Sequence, residues 1–204
     1  PLMTLTPESE RFDFGMEVFS RMLSAYHPNL GNTAIRAVAA CKIFGEALEL
    51  SSSERQHLLW AAALHDISLV RIDRGVVNRW LRDPGKSTHE ELILIKRHPE
   101  ESQRILQFCP ALKEAGELIV THHEHWDGTG YPAGLKMEMI PWLSRLLAVV
   151  IYYCGKPSPD PQTVKEIKAG KTPSYNDLRD WLDIVESMGE LKKIDGADWN
   201  LEMG

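Results

Sequence analysis

The 204-residue sequence has few cysteines, no long hydrophobic run and no excess of positive charge, and each absence excludes a class of protein. Its three cysteines are scattered without a C-x-x-C pair, which argues against a disulfide framework and is typical of a reducing cytoplasm. The longest apolar run, residues 146–154, is far shorter than the roughly 20 residues of a membrane-spanning helix. Because 29 acidic side chains outnumber 23 basic ones, nothing suggests a surface for DNA or anionic lipid. We therefore expect a cytoplasmic protein with no DNA partner and no membrane insertion.

The remaining composition is that of an ordinary globular domain, and the hydrophobic spacing is helical. Hydrophobic residues make up 43% and charged residues 25% of the chain, which argues against disorder. Apolar residues recur at steps of three and four, and no convincing series of alternating strands is present. The pattern predicts an all-α helical bundle. For the helix expected from about residue 33 to 48, it predicts an inner face of Ile35, Val38, Ala39 and Ile43.

Two helix starts carry a specific signal. Ser51 is followed three residues later by Glu54, and Thr88 is followed in the same way by Glu91. This spacing is that of a capping box, in which each side chain bonds the backbone N–H of the other residue. We predict that helices begin directly after Ser51 and Thr88.

Histidines recur next to predicted helix ends. They are His65, which precedes Asp66, then His98, and the pair His122 and His123. Each alone is compatible with a packed histidine or with a side chain that favours a helix C-terminus. Together, imidazoles and a carboxylate form a ligand set that suits Zn, Fe or Mn, and helix ends of a bundle can bring them together.

The segment around the double histidine resembles the signature of the HD-GYP family of metal-dependent phosphodiesterases. Residues 122–132 read HHEHWDGTGYP, and residues 62–67 read AALHDI like the His-Asp segment of the family. Further segments match in order, namely PGK at 84–86, IKRHP at 95–99, GLK at 134–136 and RLLAV at 145–149. The resemblance covers roughly residues 28–181. It implies an HD-domain-like bundle that holds metal ions and hydrolyses cyclic di-GMP with metal-activated water.

The resemblance also assigns residues to the site. It implies metal ligands at His65, Asp66, His98, His122 and His123. Of these, Asp66, His98, His122 and His123 would hold one metal, and His65 and Asp66 belong to the first metal site. His65 and Asp66 are also the expected catalytic residues. Expected substrate contacts are Trp126, Asp127, Gly128, Gly130, Tyr131, Pro132 and Arg145. The implied domain covers residues 28–189, with an N-terminal helix over 1–27 packed on it and a polar tail over 190–204.

Three positions depart from the family pattern. Asn32 and Ile151 stand where the family has a histidine and an aspartate ligand of its first metal, and Leu69 stands where it has a lysine. An amide is a weaker ligand than imidazole, and an alkyl group cannot ligate at all. Asn32 suits a helix N-cap and Ile151 a core position. We therefore expect one divalent transition metal (Fe, Mn or Zn) and not a second one.

Three functional hypotheses follow from this pattern. The domain is degenerate and keeps a role in binding cyclic di-GMP or a related nucleotide, or in contacting a signalling protein. Alternatively it is an active cyclic di-GMP phosphodiesterase, or a hydrolase of another nucleotide or phosphate ester. The clustered losses favour the first hypothesis.

Overall fold

The structure is a computed structural model that describes residues 8–155, and the side chains of residues 15–155. Eight α-helices follow one another in this part of the chain, and no strand occurs in it, so the predicted all-α class is confirmed. The helices are α1 (Glu8–Tyr26), α2 (Pro28–Ala47), α3 (Ser52–Leu64), α4 (Arg74–Arg82), α5 (His89–Lys96), α6 (His98–Leu106), α7 (Lys113–Val120) and α8 (Trp142–Gly155). None of these helices is long and apolar enough to cross a membrane.

Both predicted capping boxes are confirmed. At the start of α3, the Ser51 hydroxyl accepts a hydrogen bond from the Glu54 N–H at 3.2 Å, and the Glu54 carboxylate accepts one from the Ser51 N–H at 2.9 Å. Thr88 and Glu91 make the same reciprocal pair at the start of α5. These bonds satisfy N–H groups that have no partner within the helix, and so they fix where each helix begins.

Helix α2 begins earlier than the sequence pattern predicted. Its first residue is Pro28, whose fixed φ suits the first turn of a helix. Asn32 is therefore the fifth residue of α2 and is exposed, so the prediction that it caps the helix is wrong.

The inner face of α2 also differs from the predicted one. Ile35 and Ile43 are exposed, whereas the buried positions are Leu30, Gly31, Ala34, Ala37, Cys41, Phe44 and Gly45. A Cβ atom at Gly31 would lie 1.9 Å from the Ser24 hydroxyl of α1, so only glycine permits this close approach. Small residues thus direct the packing of α2, and the larger isoleucines are left outside.

The described core divides into two apolar clusters. The larger one joins α2, α3, α7 and α8 through buried residues such as Cys41, Leu58, Ile119 and Leu147. The smaller one, here called the Leu69 cluster, consists of Leu23, Leu30, Ala34, Leu69, Val77 and Ile95. It joins α1 and α2 to the short 3-10 helix Ile67–Arg71, to α4 and to α5.

The end of α1 is attached to the segment that carries the Leu69 cluster. The Tyr26 hydroxyl donates to the Ile72 carbonyl at 2.8 Å, and His27 Nε2 lies 2.7 Å from the Asn78 side-chain oxygen. The domain boundaries at 27/28 and 189/190 stay predictions, and the proposed tail over 190–204 lies outside the described residues.

Two buried serines connect the segment after Asp66 to α6. The Ser68 hydroxyl donates to the His98 carbonyl at 2.9 Å, and the Ser102 hydroxyl lies 3.0 Å from both the His65 carbonyl and the Ser68 hydroxyl. Since both serines are almost fully buried, these bonds have no competition from water. They hold the backbone of His65 and His98 at a fixed separation.

We predict that Ser102→Ala lowers the free energy of unfolding by about 1–3 kcal/mol, because it leaves buried backbone and hydroxyl groups without a partner. Urea denaturation measures this change. The matched control is Ser53→Ala on the exposed face of α3. A Ser102→Ala protein as stable as the control would contradict the structural role of this link.

Candidate metal centre

Helix ends place five of the predicted ligands around one buried space. His65 directly follows α3 and is succeeded by Asp66, and His98 is the first residue of α6. His122 and His123 lie in the turn that follows α7. His65, His98 and His122 are at most 2% exposed. Buried polar side chains at helix ends, from segments far apart in sequence, indicate a site built by the fold.

Three of the imidazoles are oriented by the same backbone bond. In His65, His98 and His122, Nδ1 lies 3.0, 2.7 and 2.5 Å from the carbonyl oxygen three residues earlier. Because a carbonyl can only accept, each Nδ1 must carry the proton, which leaves Nε2 with a free lone pair. All three Nε2 atoms are buried and have no hydrogen-bond partner. Such a bond on the other ring nitrogen is the arrangement that orients metal-binding histidines.

The Asp66 carboxylate lies between two of these lone pairs. One oxygen is 3.2 Å from His65 Nε2 and the other is 3.3 Å from His98 Nε2, although neither contact has hydrogen-bond geometry. In a buried space, the lone pair of a neutral imidazole is repelled by a carboxylate oxygen unless a proton or a metal ion lies between them. A divalent cation close to His98 and Asp66 would satisfy both groups.

A set of three ligand atoms is close enough to hold one ion. Ligand nitrogens of His98, His122 and His123 all lie within 4.8 Å of one another. The Asp66 carboxylate contacts one member of this group, His98, at 3.3 Å. The structure thus brings together the four residues that the resemblance implied for one metal, with His65 beside them.

The electrostatics keep most of these histidines neutral. Burial lowers the pKa of His98 and, more strongly, that of His122, while burial and the neighbouring His98 lower the pKa of His123 to about 3. Burial alone would raise the pKa of Asp66, but the adjacent His65 and the other histidines hold it below its usual range. For His65, burial opposes protonation, but Asp66 outweighs it and raises the pKa. Neutral imidazoles and an ionised carboxylate are the forms that bind a metal.

Glu124 was not among the predicted site residues, and it closes the loop over the centre. Its buried carboxylate accepts hydrogen bonds from the N–H groups of Ala133, at 2.7 Å, and Leu135, at 3.0 Å. One side chain thereby joins the double histidine to the far end of the 125–132 loop. The sequence contains one signal for this role. Glu124 directly precedes a turn-rich segment, and the backbone N–H groups of such a segment have no partner in a helix or strand.

Several predicted substrate contacts have roles within this loop. Asp127 accepts bonds from the N–H and the hydroxyl of Thr129 at 2.9 and 2.7 Å, so its carboxylate shapes a turn. Gly128 has φ 79°, a conformation that favours glycine. A Cβ at Gly130 would lie 2.3 Å from the backbone nitrogen of His125, so glycine lets the loop pack against the histidine turn.

The other predicted contacts carry side chains that can reach a ligand. The Tyr131 ring stacks on His123 with 4.8 Å between centroids, and Pro132 is exposed. The Arg145 guanidinium lies 5.4 Å from the centre of the Trp126 ring. That these residues bind substrate remains a prediction.

The three departing positions lie in different surroundings. Asn32 is exposed on α2, and Ile151 is partly buried against the larger cluster. Leu69 is fully buried among apolar side chains. None of the three side chains is an imidazole, a thiol or a carboxylate, the groups that bind transition metals well.

Comparison with known proteins agrees with this geometry. Residues 17–169 match the model of a family described as HD domain, and the chain belongs to this family, within its HD-GYP branch. HD domains are metal-dependent, and the histidine cluster is the corresponding candidate site here.

Relatives with curated names cover the same region. A "Probable cyclic di-GMP phosphodiesterase" of Vibrio cholerae is 32% identical over 70% of this chain and 36% of its own length. The "Cyclic di-GMP phosphodiesterase response regulator RpfG" of Xanthomonas campestris is 36% identical over 65% of this chain and 35% of its own. A "3'3'-cGAMP-specific phosphodiesterase 3" of Vibrio cholerae is 30% identical over 63% of this chain and 27% of its own. The chain thus matches about a third of the length of these relatives.

We predict that Glu124→Gln loosens the loop without removing the histidines. An amide has one acceptor oxygen where the carboxylate uses two, so one backbone N–H loses its partner, which costs about 1–3 kcal/mol. Hydrogen exchange at the amides of Ala133 and Leu135 should accelerate at least tenfold. Glu117→Gln, on the exposed side of α7, is the control. Unchanged exchange in Glu124→Gln would show that the carboxylate does not hold the loop.

Proposed function

We propose that this chain is an HD-GYP domain that binds one metal ion and recognises a cyclic dinucleotide, with hydrolysis lost or weak. The observation that supports it is the contrast between two neighbouring regions. One holds oriented, unpartnered histidine nitrogens beside Asp66, and in the other an apolar cluster surrounds the position where the family has a lysine.

Asp66, His98, His122 and His123 are the residues that would hold the metal. A bound Fe, Mn or Zn ion supplies Lewis acidity and lowers the pKa of a coordinated water. His65, whose Nε2 lies against the second oxygen of Asp66, orients that carboxylate. The backbone carbonyls of Ala62, Ile95 and Ile119 keep the ring nitrogens aimed inward.

Weak hydrolysis is proposed from what the other positions offer. Cleavage of a phosphodiester builds negative charge on phosphate oxygens, and catalysis depends on cations placed to neutralise it. Leu69 supplies no cation, and Ile151 supplies no ligand for a second metal. The Asn32 side chain is exposed on the surface of α2. The arrangement therefore supports binding better than turnover.

The loop supports a nucleotide as the ligand. Trp126 and Tyr131 are aromatic side chains of the kind on which bases stack, and Arg145 beside Trp126 offers a cation for phosphate. The printed names of the relatives, which specify cyclic di-GMP or 3'3'-cGAMP, support a cyclic dinucleotide. The same names favour the main alternative, an active cyclic di-GMP phosphodiesterase that works with the metal held by the intact ligand set. A signalling protein is the second class of partner in this proposal.

The deciding experiment is incubation with cyclic di-GMP and Mn²⁺ or Fe²⁺, followed by chromatography of the products. We expect no turnover beyond that of the His123→Ala variant, together with measurable binding in a calorimetric titration. His89→Ala, at the exposed start of α5, is the matched control.

Two results would change this proposal. Turnover at ordinary enzyme rates, about 1–10³ s⁻¹, that disappears in His123→Ala but not in His89→Ala would establish the active alternative. Absence of both turnover and binding would contradict nucleotide recognition, and it would favour a module that contacts a signalling protein.

A further inference from the structure

A positively charged side chain contacts each of the two large aromatic rings of the 125–132 loop, Trp126 and Tyr131. The Arg145 guanidinium lies over Trp126, and the Lys96 ammonium lies 5.5 Å from the centre of the Tyr131 ring. Arg145 is among the substrate contacts implied by the sequence. Lys96 is not, although it lies within the segment 95–99 that resembles the family.

Lys96 lies close to the metal centre both along the chain and in space. It is the last residue of α5 and stands two positions before His98, the first residue of α6. The Tyr131 ring beneath its ammonium group stacks on His123, one of the clustered histidines. A single aromatic ring therefore separates this positive charge from a predicted ligand.

The charge of Lys96 is not neutralised by a carboxylate within the described side chains. Basic groups nearby in sequence or in space are paired, since Arg79 bonds Glu91, and Arg97 bonds Glu101. Lys96 has the Tyr131 ring as its described contact, and its side chain is exposed. An exposed cation–π contact is weak, so it can give way to a charged ligand.

The simplest structural role for Lys96 is to complement the C-terminal end of α5, where positive charge is favourable. That role does not require the ammonium group to lie over the ring that stacks on His123. That role also does not explain how the site would attract a doubly negative dinucleotide. The protein is acidic, and Leu69 carries no charge at the position where the family has a lysine. An ammonium group is a compact charge with three donors, which suits phosphate oxygens.

We infer that Lys96 is a phosphate-binding residue. Its ammonium group moves off the Tyr131 ring and contacts a phosphate group of the nucleotide bound beside the histidine cluster. At this position it supplies a positive charge, which Leu69 cannot supply. Lys96 at Tyr131 and Arg145 at Trp126 then give the loop two cations for the two phosphates of a cyclic dinucleotide. This inference rests on the proposed function.

The test compares Lys96→Met with Lys96→Arg and with Lys113→Met, a change at the exposed first residue of α7. Each protein is loaded with Mn²⁺ and titrated by calorimetry with cyclic di-GMP and, separately, with inorganic phosphate. We expect Lys96→Met to weaken the binding of both ligands about tenfold, roughly the contribution of one charge-assisted hydrogen bond. Lys96→Arg should restore most of this loss, and Lys113→Met should bind like the wild type. The bound Mn²⁺ per chain should be the same in all four proteins.

The outcomes separate this inference from the proposed function. If the wild type binds cyclic di-GMP and Lys96→Met binds it equally well, the role of Lys96 is wrong and the proposed function stands. If only phosphate binds, and does so through Lys96, the role of Lys96 stands and the dinucleotide is the wrong ligand. A wild type that binds neither ligand contradicts both.

Discussion

The structure depends on one electrostatic constraint, the approach of imidazole lone pairs to a buried carboxylate. His98, whose pKa is lowered by burial, directs an unprotonated Nε2 at one oxygen of Asp66, His65 directs its Nε2 at the other oxygen, and His122 adds a third unpartnered nitrogen. A neutral imidazole nitrogen and the carboxylate repel each other unless a proton or a metal ion lies between them, and burial makes this repulsion stronger. The backbone bonds to Nδ1 prevent the rings from turning to relieve it. The helix ends, the hydrogen bonds of Ser68 and Ser102 and the hydrogen bonds of Glu124 all hold this site in a form that suits a positive ion.

The two regions beside Asp66 differ in polarity. On one side are the histidines and the loop held by Glu124, and on the other the Leu69 cluster, which ties α1 and α2 to the segment after Asp66. Apolar packing of this kind contributes stability, about 1.5–3 kcal/mol for a fully buried leucine. It provides no charge for a phosphoryl group. Under the proposed function, recognition and turnover make different demands on this domain, and the residues present meet the first demand more fully.

Much of the fold and the clustering of the histidines could be predicted from sequence because the responsible signals are local. The capping boxes at Ser51 and Thr88 depend only on residues three apart, and the HD and GYP strings are contiguous. The inner face of α2 was mispredicted because glycine and alanine, not the isoleucines, set how closely its neighbours approach. The parts played by Glu124 and Ser102 could not be predicted, since each depends on backbone groups that only the folded chain brings within reach. The position of Lys96 over the Tyr131 ring could not be predicted for the same reason, because the two residues are 35 positions apart in the sequence.

The central claim is that one metal site is intact and the other has lost two of its ligands, at Asn32 and Ile151. Elemental analysis of the purified, dialysed protein tests this claim most directly, with His98→Ala and His122→Ala measured beside the wild type. The account predicts close to one transition metal ion per chain in the wild type and almost none in either variant. Two tightly bound ions per chain would contradict it, because Asn32 and Ile151 would then have to be replaced by ligands that the family pattern does not include.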